Sequence, residues 1–403
     1  MNYTRLFSQT AVSIKASAIR ELLKVTARPD IISFAGGLPD PQLFPVKEVA
    51  QCMSDVLANS PREALQYGTT EGQKSLKEEL IRLLKETENL DVKPEELLVV
   101  SASQQALDMV SRIFLNRGDA IITASPTYLG ALQAFEASGA EVFGAESDDI
   151  SVTVEGVEKR LLQLQTAGRR CKFIYLVPDF MNPTGHTIPL DRRVKLLELA
   201  EKYDTLIVED SPYRQVRFEG EHQPTFYQLD QGRGRVLTMF TFSKVFVPGF
   251  RLGYITAPKE VIQKFVVLKQ AMDLCTSPIL QLAAAAYLKG GHLMRHVREV
   301  VEVYHKKRDW MLEMLAKYMP EGVKWTRPEG GLFLWVTMPK QIDASAMLQK
   351  AVEEQHVAYV AGVDFYPPLD ARRNDMRLNF SFSSLEQIEE GVKRLAATIK
   401  QAL

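Results

Sequence analysis

Cysteine is scarce in this sequence, since its 403 residues include only Cys52, Cys171 and Cys275, which are widely separated and form no C-x-x-C pair. This spacing indicates neither a disulfide framework nor a zinc site, and it is typical of proteins from a reducing compartment. Long apolar runs are also missing, because no stretch of about 18 consecutive apolar residues occurs. The first residues lack the apolar core of a signal peptide. We therefore expect a cytoplasmic protein without a membrane-spanning helix.

An excess of charge of either sign is absent as well. Lys and Arg number 49 against 50 for Asp and Glu, which leaves a formal net charge of −1. Binding to nucleic acid or to an anionic membrane requires a basic surface, and the composition gives no sign of one. The hydrophobic content of 46% and the charged content of 25% are ordinary for a globular protein. The expected partner is therefore a small molecule.

Short β-rich segments alternate with longer helical patterns between residues 96 and 257. This alternation is typical of an α/β fold in which helices cover both faces of a mostly parallel sheet. In such sheets ligands bind beyond the carboxyl ends of the strands. Seven strands are predicted, over residues 96–100, 120–124, 141–146, 171–177, 205–210, 236–241 and 252–257.

A chain of this length exceeds the size of a single hydrophobic core, so two domains are expected. We predict an amino-terminal arm over residues 1–45, which includes a short amphipathic helix over 13–25 and packs with the smaller domain. A large cofactor-binding domain is predicted over 46–290. A smaller α+β domain follows over 291–403, with a long helix, a strand pair around Gly330 and Gly331, and a final helix that begins near Ser384.

The segment from Thr241 to Tyr254 contains the most informative lysine. Lys244 follows Thr241 and Ser243, and Arg251 lies seven residues later. A lysine is the residue that forms a Schiff base with a carbonyl compound, and hydroxyls with an arginine suit a phosphate group. Pyridoxal 5′-phosphate requires both a lysine for the Schiff base and a phosphate-binding group. The alternative is a solvated surface lysine, which a motif of this length does not exclude.

Two further segments at strand ends suit the same cofactor. Asp210 ends the predicted strand 205–210, where a carboxylate pairs well with a pyridine nitrogen; the alternative is a turn-capping acid before Pro212. Ser101, Ser103 and Gln104 follow the first strand and begin a helix, whose free N–H groups suit a phosphate. The alternative there is simple helix capping.

Three other residues are candidates with open alternatives. Asn182 lies in an Asn-Pro-Thr-Gly sequence, which suits either a donor to a ring oxygen or an ordinary turn. Tyr128 follows another strand and either stacks on a flat ring or simply packs in the core. Arg377 lies on an alternating strand, and a buried arginine there needs an anion, either an internal acid or a substrate carboxylate.

Asp210, Tyr213, Lys244 and Arg251 occur in an order that resembles the fold-type-I pyridoxal-phosphate aminotransferases of class I/II, most closely the branch of 2-aminoadipate and kynurenine aminotransferases. The resemblance extends from the segment 33–40 to Arg377. It implies that Lys244 binds the cofactor covalently and carries protons. The other cofactor contacts that it implies are Asp210 at the ring nitrogen, Asn182 and Tyr213 at the ring oxygen, Tyr128 on the ring face, and Ser101, Ser103, Gln104, Thr241, Ser243 and Arg251 at the phosphate.

The resemblance also implies substrate contacts and a dimer. Arg377, Asn182 and Gly37 correspond to residues that bind the substrate, and Arg377 is the one that contacts its α-carboxylate. Tyr67, a further implied cofactor contact, matches a tyrosine that relatives contribute across a homodimer interface. Arg20 matches a helix that covers the substrate side chain in relatives, where an inward arginine favours acidic substrates; the alternative is a solvated helix arginine.

The sequence departs from the branch at three positions. Thr241 replaces a serine but keeps the hydroxyl group. Met181 stands where glutamine is common, and Asp179 stands where asparagine is common. These two changes affect the predicted substrate pocket more than the cofactor site.

The resemblance implies a ping-pong aminotransferase in which glutamate and 2-oxoglutarate form one substrate pair. Two alternatives stay open. The same cofactor and fold also support β-lyases, racemases and decarboxylases. Aminotransferase-like domains also serve as sensors joined to winged-helix DNA-binding domains, although the neutral charge and the roughly 30 residues before Ile31 argue against that arrangement.

Overall fold

The structure is a computed structural model and describes residues 1, 3–13, 22, 28–368 and 370–403. The strands are β1 (Ile32–Ser33), β2 (Leu97–Val100), β3 (Ala120–Ser125), β4 (Glu141–Glu146), β5 (Cys171–Leu176), β6 (Leu206–Asp210), β7 (Val236–Thr241), β8 (Gly253–Thr256), β9 (Lys324–Trp325), β10 (Phe333–Thr337), β11 (Val357–Ala358), β12 (Val360–Ala361) and β13 (Asp375–Asn379). Most of the helix predicted over residues 13–25 lies outside the described residues.

The helices follow in the same chain order. They are α1 (Gln9–Ser13), α2 (Val46–Asn59), α3 (Pro61–Leu65), α4 (Lys74–Glu88), α5 (Ala102–Phe114), α6 (Leu129–Ala137), α7 (Val154–Thr166), α8 (Leu190–Lys202), α9 (Phe226–Asp230), α10 (Lys259–Met272), α11 (Pro278–Lys289), α12 (His292–Tyr318), α13 (Ala344–Glu353) and α14 (Leu385–Ala402).

The large sheet contains seven strands in the order β2-β8-β7-β6-β5-β3-β4. Strands β4, β3, β5, β6 and β7 are parallel, while β8 is antiparallel to both of its neighbours. Every residue of β2, β7 and β8 is buried. Strands buried on both faces are expected where helices cover both sides of a parallel sheet. The predicted α/β fold with a mostly parallel seven-stranded sheet is confirmed.

The strand directions bring several loops to one edge of this sheet. Because β2 is antiparallel to β8, and β8 to β7, β2 runs in the same direction as the parallel strands. Its carboxyl end, which leads to Ser101, therefore lies at the same edge as the ends of β5, β6 and β7. Strand β8 runs the opposite way, so its first residues, just after Arg251, lie at that edge too. Loops from distant parts of the chain meet there.

The helices form where apolar residues repeat at helical spacing. In α4, Leu76, Leu80 and Leu83 are buried on one face. Helix α14 begins with a capping box, in which the side chains of Ser384 and Gln387 each accept from the other's backbone N–H. Among the described residues, no helix combines the length and apolar character needed to cross a membrane.

A four-stranded antiparallel sheet in the order β12-β13-β10-β9 follows helix α12. Strand β1 pairs in parallel with β11, with Ile32 opposite Val357. This pairing joins residues of the predicted arm to the carboxyl-terminal part of the chain. The domain boundaries at residues 45 and 290 stay predictions.

Candidate active site

A cavity of about 430 Å³ opens at the carboxyl edge of the large sheet. Its volume falls within the range of typical small-molecule sites. Both sheets contribute to its wall, since residues at or just after the ends of β2, β5, β6 and β7 line it together with Phe333 of β10 and Arg377 of β13. The predicted site residues that line it are Gly37, Ser103, Gln104, Tyr128, Asn182, Asp210, Tyr213, Thr241, Ser243, Lys244, Arg251 and Arg377.

Lys244 lies just beyond the end of β7 and projects into the cavity. Its Nζ donates a hydrogen bond to the carbonyl oxygen of Gly37, at 2.7 Å. Burial, followed by the positive charges of Arg377 and Arg251, lowers the pKa of Lys244 from 10.5 to about 8. A lysine of this pKa is partly neutral near pH 8, and the neutral amine is both the nucleophile and the base.

Asp210 ends β6 with its carboxylate buried under the cavity. Oδ2 accepts a hydrogen bond from Tyr175 Oη at 2.8 Å, whereas Oδ1 is buried and has no hydrogen-bond partner among the described residues. Burial raises the pKa of Asp210 to about 7, although the Tyr175 hydroxyl opposes this shift. Such a carboxylate is suited to accept from a cationic N–H group.

The adjacent acid, Glu209, faces the other side of the sheet, because successive strand residues point to opposite faces. Its carboxylate accepts from Thr238 Oγ1 at 2.8 Å and from the backbone N–H of Phe226 at 3.2 Å, at the start of α9. Of the two acids that end β6, Glu209 is therefore structural and Asp210 is the one in the cavity.

Hydroxyl groups and an arginine cluster where β7 ends and β8 begins. Thr241 Oγ1 donates to Ser243 Oγ at 3.0 Å, and Arg251 Nη1 lies 3.5 Å from the same Ser243 oxygen. Arg251 has a φ of 52°, an unusual left-handed conformation for a residue with a side chain. Two hydroxyls and a guanidinium that converge in this way suit a phosphate group.

The amino terminus of α5 completes this part of the cavity. The first helical residue, Ala102, has a φ of 64°, and Ser101 makes no side-chain capping bond to the helix. Ser101 Oγ instead lies 3.4 Å from Asp273 Oδ2, while Ser103 and Gln104 line the cavity. Side-chain capping by Ser101 is thus absent, and the helix N–H groups stay available to an anion.

Arg377 is buried on β13 between two aromatic rings. Its guanidinium lies 4.2 Å from the ring centre of Phe333 and 5.2 Å from that of Phe365. It donates to Asn182 Oδ1 at 2.9 Å and to the carbonyl oxygen of Ala35 at 2.6 Å. No carboxylate of the described residues lies within ion-pair distance, and burial lowers the pKa of Arg377 to about 10. A buried cation of this kind is suited to an anionic ligand.

Asn182, Tyr213 and Tyr128 line the space between Asp210 and Arg377. Asn182 Nδ2 lies 3.4 Å from Tyr213 Oη, and both residues are buried. Burial raises the pKa of Tyr213, so its hydroxyl stays a hydrogen-bond donor. Gly130 leaves room for the ring of Tyr128, because a Cβ at that position would lie 2.5 Å from it.

Three predicted site residues do not line the cavity. Ser101 is directed to Asp273, as described above. Tyr67 is 79% exposed on the surface. Arg20 lies outside the described residues. The cofactor contacts predicted for Ser101 and Tyr67 and the substrate contact predicted for Arg20 stay predictions.

Sequence reasoning missed Tyr175 and Phe333. Tyr175 lies opposite Val208 on the neighbouring strand β6, and Val208 shares a face with Asp210. A tyrosine among apolar residues near the end of the strand next to that of Asp210 was the available signal. Phe333 contacts Arg377 and also Tyr213, whose ring centre lies 5.8 Å from its own. Both partners are far from Phe333 in the sequence, so no local pattern indicates these contacts.

Comparison with known proteins matches residues 29–395 to the family described as aminotransferase class I and II. The chain is 44% identical over 403 residues to aromatic-amino-acid aminotransferase 1 of Thermococcus litoralis, a match that covers 100% of this chain and 96% of the relative.

Two solved structures are similar throughout. The kynurenine aminotransferase of Pyrococcus horikoshii, in complex with PMP, has a TM-score of 0.95 and 43% identity, with 100% of this chain and 98% of that chain covered. LysN, an α-aminoadipate aminotransferase of Thermus thermophilus complexed with N-(5′-phosphopyridoxyl)-L-leucine, has a TM-score of 0.92 and 35% identity, with 100% and 99% covered.

Proposed function

The chain belongs to the class I and II aminotransferases, and we propose that it moves the amino group of an L-α-amino acid to a 2-oxo acid by a ping-pong mechanism, with glutamate and 2-oxoglutarate as one pair. The family depends on pyridoxal 5′-phosphate, so the predicted cofactor, enzyme class and fold type I are confirmed. The observation that carries the proposal is the convergence of Lys244, Asp210 and Arg377 on one cavity.

The residues of the cavity fit this cofactor. The buried Oδ1 of Asp210 lacks a partner among the described residues and suits a protonated ring nitrogen. Ser103, Gln104 and Arg251 suit the phosphate, together with Thr241 and Ser243. When bound, pyridoxal phosphate supplies an electron sink for the bonds at the substrate Cα.

We assign the proton transfers to Lys244. In its neutral form Nζ, with a pKa of about 8, would take the proton from the substrate Cα, and in its charged form it would donate that proton to the cofactor carbon on the other side of the amino nitrogen. The hydrogen bond from Nζ to the carbonyl oxygen of Gly37 orients the amine towards the loop that covers the cavity. General acid–base transfer of this kind contributes about 10²-fold to 10⁴-fold to rate.

Arg377 is the proposed binding group for the substrate carboxylate. Asn182 and Ala35 hold its guanidinium, and the rings of Phe333 and Phe365 enclose it. An arginine that is fixed in this way orients a carboxylate through two parallel hydrogen bonds. The α-carboxylate is common to every amino acid and 2-oxo acid, so this contact serves both halves of the reaction.

The wall next to Arg377 supports apolar and aromatic substrate side chains. Leu38, Pro39, Leu129 and Phe333 contribute to it, and the cationic side chains among the described lining residues are Lys244, Arg251 and Arg377. Acceptance of glutamate then requires a polar group at the cavity mouth, a role that the resemblance gives to Arg20. We propose that aromatic donors share one site with glutamate.

Homodimerisation with shared active sites is part of the proposal. Tyr67 and Leu65 are 79% and 71% exposed. Exposed apolar residues near one another in sequence support a contact with a second copy. The free cysteines Cys52 and Cys171 support action in the cytoplasm.

A donor-by-acceptor screen tests the substrate proposal. Purified protein with pyridoxal phosphate is assayed with L-glutamate, L-2-aminoadipate, L-phenylalanine and L-leucine, each against 2-oxoglutarate and pyruvate. We expect the highest kcat/KM for an aromatic or acidic donor with 2-oxoglutarate. Failure of 2-oxoglutarate to accept from any donor would remove it from the proposed pair. Release of ammonia in place of amino-group transfer would favour a lyase.

A further inference from the structure

A buried ionic cluster lies behind the cavity and outside its lining. Asp179, Arg193, Arg214 and Glu88 are 1%, 0%, 3% and 6% exposed. Arg193 Nη2 donates to Asp179 Oδ1 at 2.7 Å, and Arg214 Nη1 donates to Asp179 Oδ2 at 2.9 Å. Arg214 Nε also donates to Glu88 Oε2 at 2.6 Å. Breaking a buried pair of this kind is costly, because it leaves a charge without a partner.

The cluster joins two loops that carry site residues. Asp179 lies three residues before Asn182 in the loop after β5, and Arg214 follows Tyr213 directly in the loop after β6. The direct contact between Asn182 Nδ2 and Tyr213 Oη, at 3.4 Å, is long for a hydrogen bond. The charged and shorter bond from Arg214 to Asp179 is therefore the stronger link between the loops.

The geometry requires a carboxylate at position 179. Each of its two oxygens accepts from a different arginine, and Arg217 Nη2 lies a further 3.6 Å from Oδ1. An asparagine has one acceptor oxygen, so its amide NH₂ would face a guanidinium donor. This position is one of the departures from the branch, in which asparagine is common.

The backbone between Asp179 and Asn182 depends on the same contacts. Phe180 has a φ of 51°, and its ring lies 4.6 Å under the guanidinium of Arg217. A Cβ at position 330 would lie 2.4 Å from the Phe180 ring, so only a glycine fits at that position. A left-handed conformation at a bulky residue persists only where its surroundings enforce it.

We propose that Asp179 is a positioning residue that fixes Asn182 relative to Tyr213, through its ion pair with Arg214. This inference rests on the proposed function, in which both residues donate to the ring oxygen of the cofactor. The distance between those two donors determines how strongly they stabilise negative charge on that oxygen. Asp179 thereby sets the proton affinity of the cofactor bound to Lys244, although it contacts neither the cofactor nor Lys244.

The test is the pH titration of the absorbance of the substrate-free holoenzyme. We expect Asp179→Asn to move its midpoint by about half a pH unit or more. We also expect kcat to fall by about tenfold to a hundredfold, as for other small displacements of site residues. Glu88→Gln is the matched control, because it removes one negative charge from the same cluster but leaves the Asp179–Arg214 bond. Its midpoint should stay close to that of the parent.

Arg214→Lys is the second variant, since lysine keeps the charge but lacks the planar fork by which Arg214 Nε and Nη1 reach Glu88 and Asp179 separately. It should move the midpoint in the same way. A folded Asp179→Asn protein with the parental midpoint and only a lower melting temperature would overturn the proposal, as would an equal shift in Glu88→Gln. Failure of both variants to fold would assign the cluster a structural role alone. An inactive parent enzyme would instead contradict the proposed function.

Discussion

The most distinctive residues of this protein are buried polar groups whose partners are missing from the rest of the described chain. Asp210 Oδ1 and Arg377 Nε are both buried without a hydrogen-bond partner there. Such groups reduce stability, because they lose their hydration without compensation. Both residues line one cavity, and in the proposed function the cofactor is the partner of Asp210 and the substrate carboxylate is the partner of Arg377.

Asp210→Asn should therefore stabilise the cofactor-free protein and weaken cofactor binding. The folded pKa of Asp210, about 7, lies above its ordinary value of 3.8. The folded state thus holds the proton more tightly than the unfolded state, and stability falls as pH rises from about 4 to 7. The gain from the substitution should grow over that interval and stay constant above it, at roughly 2–5 °C in melting temperature.

Thermal unfolding of both cofactor-free proteins between pH 4 and pH 9 measures this difference. A gain in melting temperature that is independent of pH would show that the ionised carboxylate is not the cause of the lower stability. Equal retention of pyridoxal phosphate by the two proteins during dialysis would contradict the role of Asp210 at the ring nitrogen.

Tyr175→Phe should raise the pKa of Asp210 further. The tyrosine hydroxyl donates to Oδ2 at 2.8 Å and stabilises the ionised form. Loss of a hydrogen bond to a charged group should move the pH interval over which the cofactor-free protein loses stability upwards by about one to two units, which thermal unfolding measures. The control is Tyr359→Phe, which removes a buried hydroxyl that donates to Ala344 at 2.6 Å. An unshifted interval in Tyr175→Phe would contradict this account.

At the scale of secondary structure, the proposed phosphate site depends on the close approach of β8 to the start of α5. A Cβ at Gly253 would lie 2.6 Å from the carbonyl oxygen of Phe240 and 3.1 Å from Cα of Ala102. Gly253→Ala should displace these elements, destabilise the protein by about 1–3 kcal/mol and speed the loss of the cofactor. Gly249→Ala is the control, because nothing lies within 4 Å of its Cβ position. Equal cofactor retention in both variants would exclude this packing effect.

The elements that local pattern defines were predictable. Helix α12 is the predicted long helix of the smaller domain, and Ser384 caps α14 where the final helix was predicted to begin. Strand ends carry Asp210 and lead to Lys244, so those candidates followed from chemistry at strand exits. The β1–β11 pairing, the Tyr175–Asp210 bond and the Asp179 cluster were not predicted. Each depends on contacts between residues far apart in the chain, which leave no periodicity in the sequence.

At the scale of the whole molecule, the exposed apolar residues around Tyr67 determine the expected assembly. Leu65→Glu places a charge beside Tyr67 and should convert a dimer into monomers with reduced activity. Leu162→Glu is the control, because Leu162 is also exposed, at 53%, but lies on α7, which packs against β4 at the far edge of the sheet from β2. Light scattering measures the mass. A parent protein that is monomeric and fully active would exclude shared sites.

The most direct measurement is the half-reaction of the holoenzyme with L-glutamate in the absence of any 2-oxo acid. The absorbance should show that the bound cofactor passes to its amine form, and 2-oxoglutarate should restore the starting spectrum. Lys244→Ala should slow this conversion by about 10²-fold to 10⁴-fold, because Lys244 is the one lysine among the described residues that line the cavity. A parent enzyme whose spectrum does not change with glutamate, or a Lys244→Ala variant that converts at the parental rate, would contradict the account.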